Sequence, residues 1–597
     1  MQMKKWRCTV CGYIHEGRNP PERCPICGSP MEKFEPYTEY LKDSGMEKKT
    51  DAYSEYATDV VIVGTGASAF SAAISARSKG ASVMMVEKAD AIGGTTARSG
   101  GGYWIPNNHL QRSAGYEDNR EDCLRYMARY SYPNLYNPND GKLGLNDHQY
   151  GLLEAFYDNG SKMVDHFEDI GALHSILETN WTGKAQVDYM DHLPENKGIR
   201  GRTLFSKKPD GKQGWGIDLI NQMEKWAREH DIEIVTGCEI ESIIKGTDGT
   251  VYGVIGRSEG KEKRFFARKG VIFCSGGYSR NTDFMQQFQP GPNYGGCAVP
   301  TNTGDFIRMA GSIGASIGNT HGAFRADSMI EAFRANPGPS SNVFYVIGDS
   351  VMIVNKYGKR IVDEKRNYND RARVHFEWDP ERAEWKNMLT FMIFDDRTAT
   401  LWQGWPPLPR KDSPMPEHLI RADTFEELGR GISQHLRTLS DITGGFSLEP
   451  AFSDNLKETV EKFNGYAETG VDLDFHRGDY VYDREWTTFP PVIGGTEWPE
   501  KGVKNYTMHQ FSKNGPYYAI ILGAGTLDTN GGPIIDSQAR VLDWNDEPID
   551  GLFGAGNCIA SPTVGAYWGG GSTIGPALTF GYIAGSNAAE RKNKDPE

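Results

Sequence analysis

The chain contains no run of about 18 consecutive apolar residues, the length that a bilayer-crossing helix requires. Nor does Met1-Gln-Met-Lys-Lys-Trp-Arg-Cys8 carry the apolar stretch of a secretory leader ahead of its first cysteines. Neither a membrane span nor a signal peptide is expected, and the expected location is the cytoplasm. Basic excess is missing as well: 65 Lys and Arg against 79 Asp and Glu leave a net charge of -14. Phosphate-binding surfaces need the opposite sign, which argues against nucleic acid as a partner. Nine cysteines in 597 residues are too few for a disulfide scaffold. What is present is a 38% hydrophobic chain, long enough for two or three packed domains.

Four of the nine cysteines are spaced as metal ligands. Cys8-Thr-Val-Cys11 and Cys24-Pro-Ile-Cys27 each close a tight knuckle, and the glycine after each pair lets backbone N–H groups turn toward the sulfurs. Two knuckles make a tetrahedral sulfur cage, which suits either iron or zinc. Trp6-Arg-Cys-Thr-Val-Cys-Gly-Tyr-Ile-His15, followed by Cys24-Pro-Ile-Cys-Gly28, resembles the rubredoxin-like domain of rubrerythrins. That resemblance implies a small module over residues 1–37, holding one iron on Cys8, Cys11, Cys24 and Cys27 around an aromatic core of Trp6, Tyr13 and Phe34. A structural zinc ribbon is the alternative. The module carries six Lys or Arg against four Glu, or +2, which leaves -16 for the rest of the chain; it has the sign to dock on its own acidic body. Residues 38–57 read as a linker. Cys123, Cys238, Cys274, Cys297 and Cys558 are expected to be buried bystanders.

From Thr58 the chain reads strand, glycine turn, helix, strand, acid. Gly64 makes the turn after Val60-Val-Ile-Val63, and Gly66 lets the backbone approach a pyrophosphate at the N-terminus of a helix entered at Ala67. Ala69 permits close helix packing, and Glu87, followed by Lys88, can bind ribose hydroxyls. Ile92-Gly-Gly94-Thr95-Thr96-Ala-Arg-Ser99-Gly100-Gly101-Gly102 then resembles the loop that wraps pyrophosphate and isoalloxazine in the fumarate reductase flavoprotein superfamily. Gly277, Asp305, Gly556-Asn557 and Ser572-Thr573-Ile574 fit the same superfamily. The resemblance implies FAD in an α/β Rossmann-like domain made of two segments, 58–321 and 513–597. Between them, 322–512 reads as an inserted α+β cap that covers the substrate. A second glycine-rich strand-turn-helix unit for a nicotinamide cofactor is absent, so the iron module is the natural electron port, served by a redox partner protein.

Val564-Gly-Ala-Tyr567-Trp-Gly-Gly-Gly571-Ser-Thr-Ile-Gly-Pro-Ala577 is similar to the signature of 3-ketosteroid dehydrogenases, which Gly93-Gly-Thr-Thr-Ala-Arg-Ser99 and Asn107-Asn108 also fit. The resemblance implies that the Tyr567 hydroxyl and the Gly571 N–H hold a ketone oxygen and stabilise the enolate formed there. It makes Tyr368, in Lys359-Arg-Ile-Val-Asp-Glu-Lys-Arg-Asn-Tyr368, the general acid or base at the carbon next to the ketone. A third tyrosine falls at Tyr189, with His192 as its competitor. Tyr567 read as a packing aromatic and Tyr368 as ordinary core or surface are the plainer alternatives, and Trp402, Trp405, Phe376 and Trp378 read as cap core. Trp568 and Gly570 stand where the family has prolines, and an indole there is expected to reshape the pocket beside the carbonyl anchor.

The expected activity is FAD-dependent oxidation or reduction of a CH–CH bond next to a ketone, on a 3-ketosteroid-like or other cyclic enone. Rubrerythrin-type modules belong mostly to anaerobes and favour the reductive direction. The alternatives are a dehydrogenase, a fumarate or urocanate reductase, and an electron-transfer or oxygen-scavenging flavoprotein. Residues 557–580 contain no Arg or His to clamp a carboxylate, which ranks the second of these lower.

Overall fold

A computed structural model describes residues 4–8, 14–24, 29–37, 48–49, 53–180, 183–494 and 496–594. At the N-terminus, β1 (Lys4–Cys8) pairs antiparallel with β2 (Ile14–Gly17) and β3 (Phe34–Tyr37). The register sets Cys8 opposite Phe34. Cys8 and Cys24 are buried with Phe34, and Trp6 packs against them. Cys11, Tyr13 and Cys27 lie outside the described residues.

The body begins with β4 (Tyr53–Val63), α1 (Ala67–Ser78), β5 (Val83–Val86) and α2 (Gly94–Arg98). β4 starts earlier than the expected Thr58 because its first half pairs with Glu262–Ala267. Next come α3 (Gly216–Glu229), β6 (Glu233–Val235), β7 (Glu239–Lys245), β8 (Val251–Ser258) and β9 (Lys261–Phe273). The strands order as β6-β5-β4-β9-β8-β7, parallel from β6 to β9 and antiparallel beyond. Val60–Val63 are all buried, as a continuous β-branched run must be in a parallel sheet covered on both faces.

The main strands of the cap sheet are antiparallel: β10 (Ala323–Met329), with the short α4 (Tyr368–Arg371) beside it, β11 (Val351–Val354), β12 (Leu389–Asp395) and β13 (Tyr517–Thr529). β13 was expected in the second flavin segment, from residue 513. It is instead the central strand of the cap, between β10 and β12. Its apolar run Ala519–Leu522 is fully buried and needs cover on both faces, which the cap supplies. The chain then returns to the first sheet as β14 (Pro548–Gly554), parallel to the end of β9, and finishes in α5 (Ile574–Glu590).

α5 crosses α1 at glycines. A Cβ on Gly581 would stand 2.4 Å from the Ser68 carbonyl oxygen, and one on Gly585 would stand 2.1 Å from that of Ala72. Between body and cap lies a small cluster of Val187, Tyr189, Phe324, Ala326, Tyr368, Tyr482 and Tyr567. Gly585→Ala is expected to destabilise the protein by about 1–3 kcal/mol through overpacking; a thermal midpoint equal to wild type would contradict the close helix approach.

Candidate active site

A cleft of about 910 Å³ runs along the C-terminal ends of β4 and β5 to the N-terminus of α5, where ligands of such sheets bind. Gly64 has φ of 113°, and a Cβ there would meet the Cys274 carbonyl oxygen at 2.4 Å. Gly66 and Ala67 follow at the N-terminus of α1. The Ala67 N–H donates to Thr96 Oγ1 at 3.2 Å, so the wrapping loop closes onto the helix end. Gly94, Thr95 and Thr96 line the cleft from this side, and Gly556, Asn557, Thr573 and Ile574 line it from the other.

Glu87 is buried and accepts from the Thr65 hydroxyl at 2.6 Å and the Ala89 N–H at 2.9 Å. Burial pushes its carboxyl upward, and the Thr65 bond opposes this. Lys88 also lines the cleft, ion-paired with Glu239 at 2.8 Å and Asp305 at 3.1 Å.

The remaining expected cofactor residues hold the walls. Ala69 is buried inside α1, and Gly100 is exposed at its turn. Ser99 and Gly101 meet the start of α3: the Gly216 N–H donates to the Ser99 carbonyl at 3.1 Å, and a Cβ on Gly101 would stand 2.4 Å from Gly216 N. Gly102 packs under Phe205. Ser572 Oγ accepts from the Gly569 N–H at 2.9 Å. Gly277 donates its N–H to Asp528 at 3.2 Å.

Asp528 was not expected. It is buried, lines the cleft and also accepts from Asn557 Nδ2 at 2.9 Å. An acid closing the apolar run of β13 was its signal. Ser275 Oγ, another lining residue, is buried without a hydrogen-bond partner among the described residues. The glycine cradle, the helix ends and this orphaned hydroxyl fit a dinucleotide such as FAD.

Beyond the α5 end of the cleft stand the three expected tyrosines, all buried. The Tyr189 ring lies 5.3 Å from Tyr567, stacked at 14°, and the Tyr368 ring lies 5.4 Å from Tyr567. The Tyr189 hydroxyl donates to the Tyr368 hydroxyl at 3.0 Å. Burial pushes Tyr189, Tyr368 and Tyr567 above the ordinary tyrosine range. At Tyr567 the neighbouring Thr573, Tyr368 and Gly571 groups act against burial, which places the Gly571 backbone beside the Tyr567 hydroxyl. Gly571 has φ of 92°, and a Cβ there would stand 2.4 Å from Tyr103 N, which brings the two flavin loops together at this residue.

His192 is not in the cluster. Its ring lies 4.9 Å from that of Tyr480, tilted at 39°, with its Nδ1 3.0 Å from an Arg366 nitrogen. Trp568 does not reshape the pocket either. Its indole turns into the body core against Trp104 and Phe156, and its N–H donates to Ser131 at 3.0 Å. Its carbonyl accepts the Tyr189 N–H at 3.2 Å and so sets Tyr189 beside Tyr567. Trp402 is cap core as expected, while Trp378 and Trp405 are exposed. The aromatic walls come from residues not singled out in sequence: Phe324 and Phe344 edge-on to Tyr567 and Tyr368, and Tyr482 edge-on to Tyr189.

The FAD binding domain family model matches residues 59–574. The chain belongs to that family. Residues 6–35 of this flavoprotein match the rubrerythrin, rubredoxin-like domain. It is 31% identical over 568 residues to the 4-oxocyclohexanecarboxylate 2-dehydrogenase of Sinomonas cyclohexanicum, covering 89% of this chain and 92% of the relative. The 3-oxosteroid 1-dehydrogenase of Mycolicibacterium smegmatis is 28% identical, with 89% and 98% covered. In structure, the flavoprotein is similar to the 3-ketosteroid delta1-dehydrogenase of Sterolibacterium denitrificans in complex with 1,4-androstadiene-3,17-dione. The TM-score is 0.74 at 26% identity, with 89% of this chain and 99% of that one covered. The flavoprotein is an FAD-dependent oxidoreductase of the class that works on CH–CH bonds.

Gly64→Ala is expected to lower retained FAD at least tenfold, read as the ratio of flavin to protein absorbance in purified enzyme. A fully loaded variant would contradict the tight turn under the pyrophosphate site.

Proposed function

We propose that this flavoprotein reduces the C=C bond conjugated to a ketone in a cyclic enone, 3-oxo steroids and simpler oxocyclohexenes among them. The observation that carries the reading is the gathering of the buried Tyr567, Tyr368 and Tyr189 into one cluster at the end of the FAD cleft, with the Gly571 backbone beside Tyr567. Tyr567 Oη–H and the Gly571 N–H hold the ketone oxygen and stabilise it as it turns into an enolate oxygen, each lowering the barrier by roughly 3 kcal/mol. Tyr368 delivers the proton to the carbon next to the carbonyl, and the Tyr189 hydroxyl orients it. Burial keeps all three phenols protonated at neutral pH, the form needed to donate; abstraction in the oxidative direction would need the opposite shift. FAD, when bound, supplies hydride exchange at its N5.

The cap walls are aromatic and suit a flat alicyclic ring rather than a small dicarboxylate. No Arg or His stands in residues 557–580, which weighs against an unsaturated-carboxylate reductase.

The donor set of Cys8, Cys11, Cys24 and Cys27 fits iron that accepts single electrons from a partner protein, with zinc as the alternative. Cys8 and Cys24, the two described members, are buried as ligands should be. Arg7, next to Cys8, donates to Asn221 Oδ1 at 2.8 Å and pairs with Glu224 at 3.2 Å, both on α3. The N-terminal half of α3 packs on the flavin loop: a Cβ on Gly93 would meet Ile220 at 3.2 Å. This seating supports electron entry through the module.

Two outcomes test the reading. Dithionite-reduced enzyme should re-oxidise rapidly with a cyclic 3-oxo enone, and Tyr567→Phe should slow this about 100-fold; equal rates would sink the assignment. Arg7→Glu should slow flavin reduction by an electron donor acting through the module about tenfold, and the double reversal Arg7→Glu/Glu224→Arg should restore it. A single reversal without effect would remove the module from the route.

A further inference from the structure

One acid beside the ketone-holding turn has no part in the mechanism above. Glu178 follows the strand Ser175–Leu177 and is pinned by its backbone on two sides. Its N–H donates to the Thr203 carbonyl at 3.0 Å, and its carbonyl accepts the Gln186 N–H at 3.2 Å. The Thr203 hydroxyl in turn donates to the Gly570 carbonyl at 2.9 Å. This strap brings Glu178 Oε2 to 3.4 Å from the point a Cβ would occupy on Gly570, one residue before the N–H that holds the ketone oxygen. Across the chamber, Tyr345, stacked on Trp486 at 4.9 Å, feels the Glu178 charge.

No cation answers the Glu178 carboxyl among the described residues. Lys184 on the neighbouring strand is exposed. Asp188 is committed to Arg202, Trp104 and Asn196. Tyr345 and Tyr567 are pushed above the ordinary tyrosine range by burial and stay neutral. Burial alone acts on Glu178 and pushes it up to about 8.

We infer that Glu178 is a gating acid of the ketone-oxygen site: neutral, it lets negative charge develop at Gly571 and Tyr567; ionised, it places a like charge beside that oxygen. The inference rests on the ketone-site reading above. Two like charges about 6 Å apart in a protein's effective dielectric of about 20 disfavour each other by roughly 100-fold. The sign follows directly. The site accepts an oxyanion below the Glu178 midpoint and loses that ability as pH rises through it. A substrate carrying its own carboxylate next to this wall is disfavoured for the same reason.

The test is binding of 4-nitrophenolate, a coloured planar oxyanion, to the FAD-loaded full chain across about pH 7 to 9.5. Wild-type affinity should fall at least tenfold through about pH 8, and Glu178→Gln should bind evenly across the range. Glu178→Ala is a second variant with the same expectation, and flavin absorbance reports the folding of both. A Gln or Ala variant that keeps the wild-type fall overturns the inference. Binding untouched by Tyr567→Phe overturns instead the ketone-site reading beneath it.

Discussion

A single guanidinium, that of Arg366, ties together the three chain segments that carry Tyr189, Tyr368 and Tyr482. It pairs with Asp483 at 2.8 Å and Asp191 at 3.1 Å, and donates to the Tyr189 carbonyl at 2.6 Å. Tyr368 lies two residues beyond Arg366, and Tyr482 precedes Asp483. Asp191 also accepts the Tyr482 N–H at 2.8 Å. Because the group is nearly buried between two acids, losing one partner would leave an uncompensated charge, at a cost of about 3–5 kcal/mol. The same segment is anchored farther back, where Arg360 and Arg477 share Glu364 and Arg360 also reaches Asp472. Tyr368 and the rings of Tyr189 and Tyr482 are therefore held as one body.

The turn over residues 564–573 connects this chamber to the cofactor cleft. Asn369, adjacent to Tyr368, donates to the Gly565 carbonyl at 3.2 Å and joins the cap to the turn. Gly571 presses against Gly102 and Tyr103 of the first flavin loop, and a Cβ on Gly575 would stand 2.1 Å from the Trp104 carbonyl oxygen. Backbone contact at both glycines leaves no slack between the N–H proposed to hold the ketone oxygen and the loop expected to lie against the flavin. Preorganisation of this kind is what gives oxyanion donors their value.

Much of the cofactor site was legible in the linear chain because its chemistry is local. A positive-φ turn at Gly64, an open approach at Gly66 and an acid at the end of the next strand lie within one β-α-β unit. Tyr567 and Gly571, four residues apart on one turn, were singled out by the resemblance to the 3-ketosteroid dehydrogenase signature. Trp568 was misread: its indole faces the body core, and only the packing of Trp104 and Phe156 around it reveals the direction. β13 was assigned to the wrong layer because an apolar strand does not announce its partners. Asp528, Tyr482 and Glu178 were passed over because each reaches the site only through neighbours far away in sequence.

The sequence by itself determined the four-cysteine knuckle spacing and the nucleotide fold with its flavin loops. Each is a short-range pattern in which spacing dictates geometry. Only the tertiary structure decided that Tyr189 rather than His192 joins Tyr368, that the cap claims β13, and that the Arg7 face of the small module meets α3. It alone placed Glu178, which has no cation partner among the described residues, beside Gly570. Those outcomes depend on burial and on charge pairing between segments more than a hundred residues apart, and no local pattern encodes which distant partner removes a group from water.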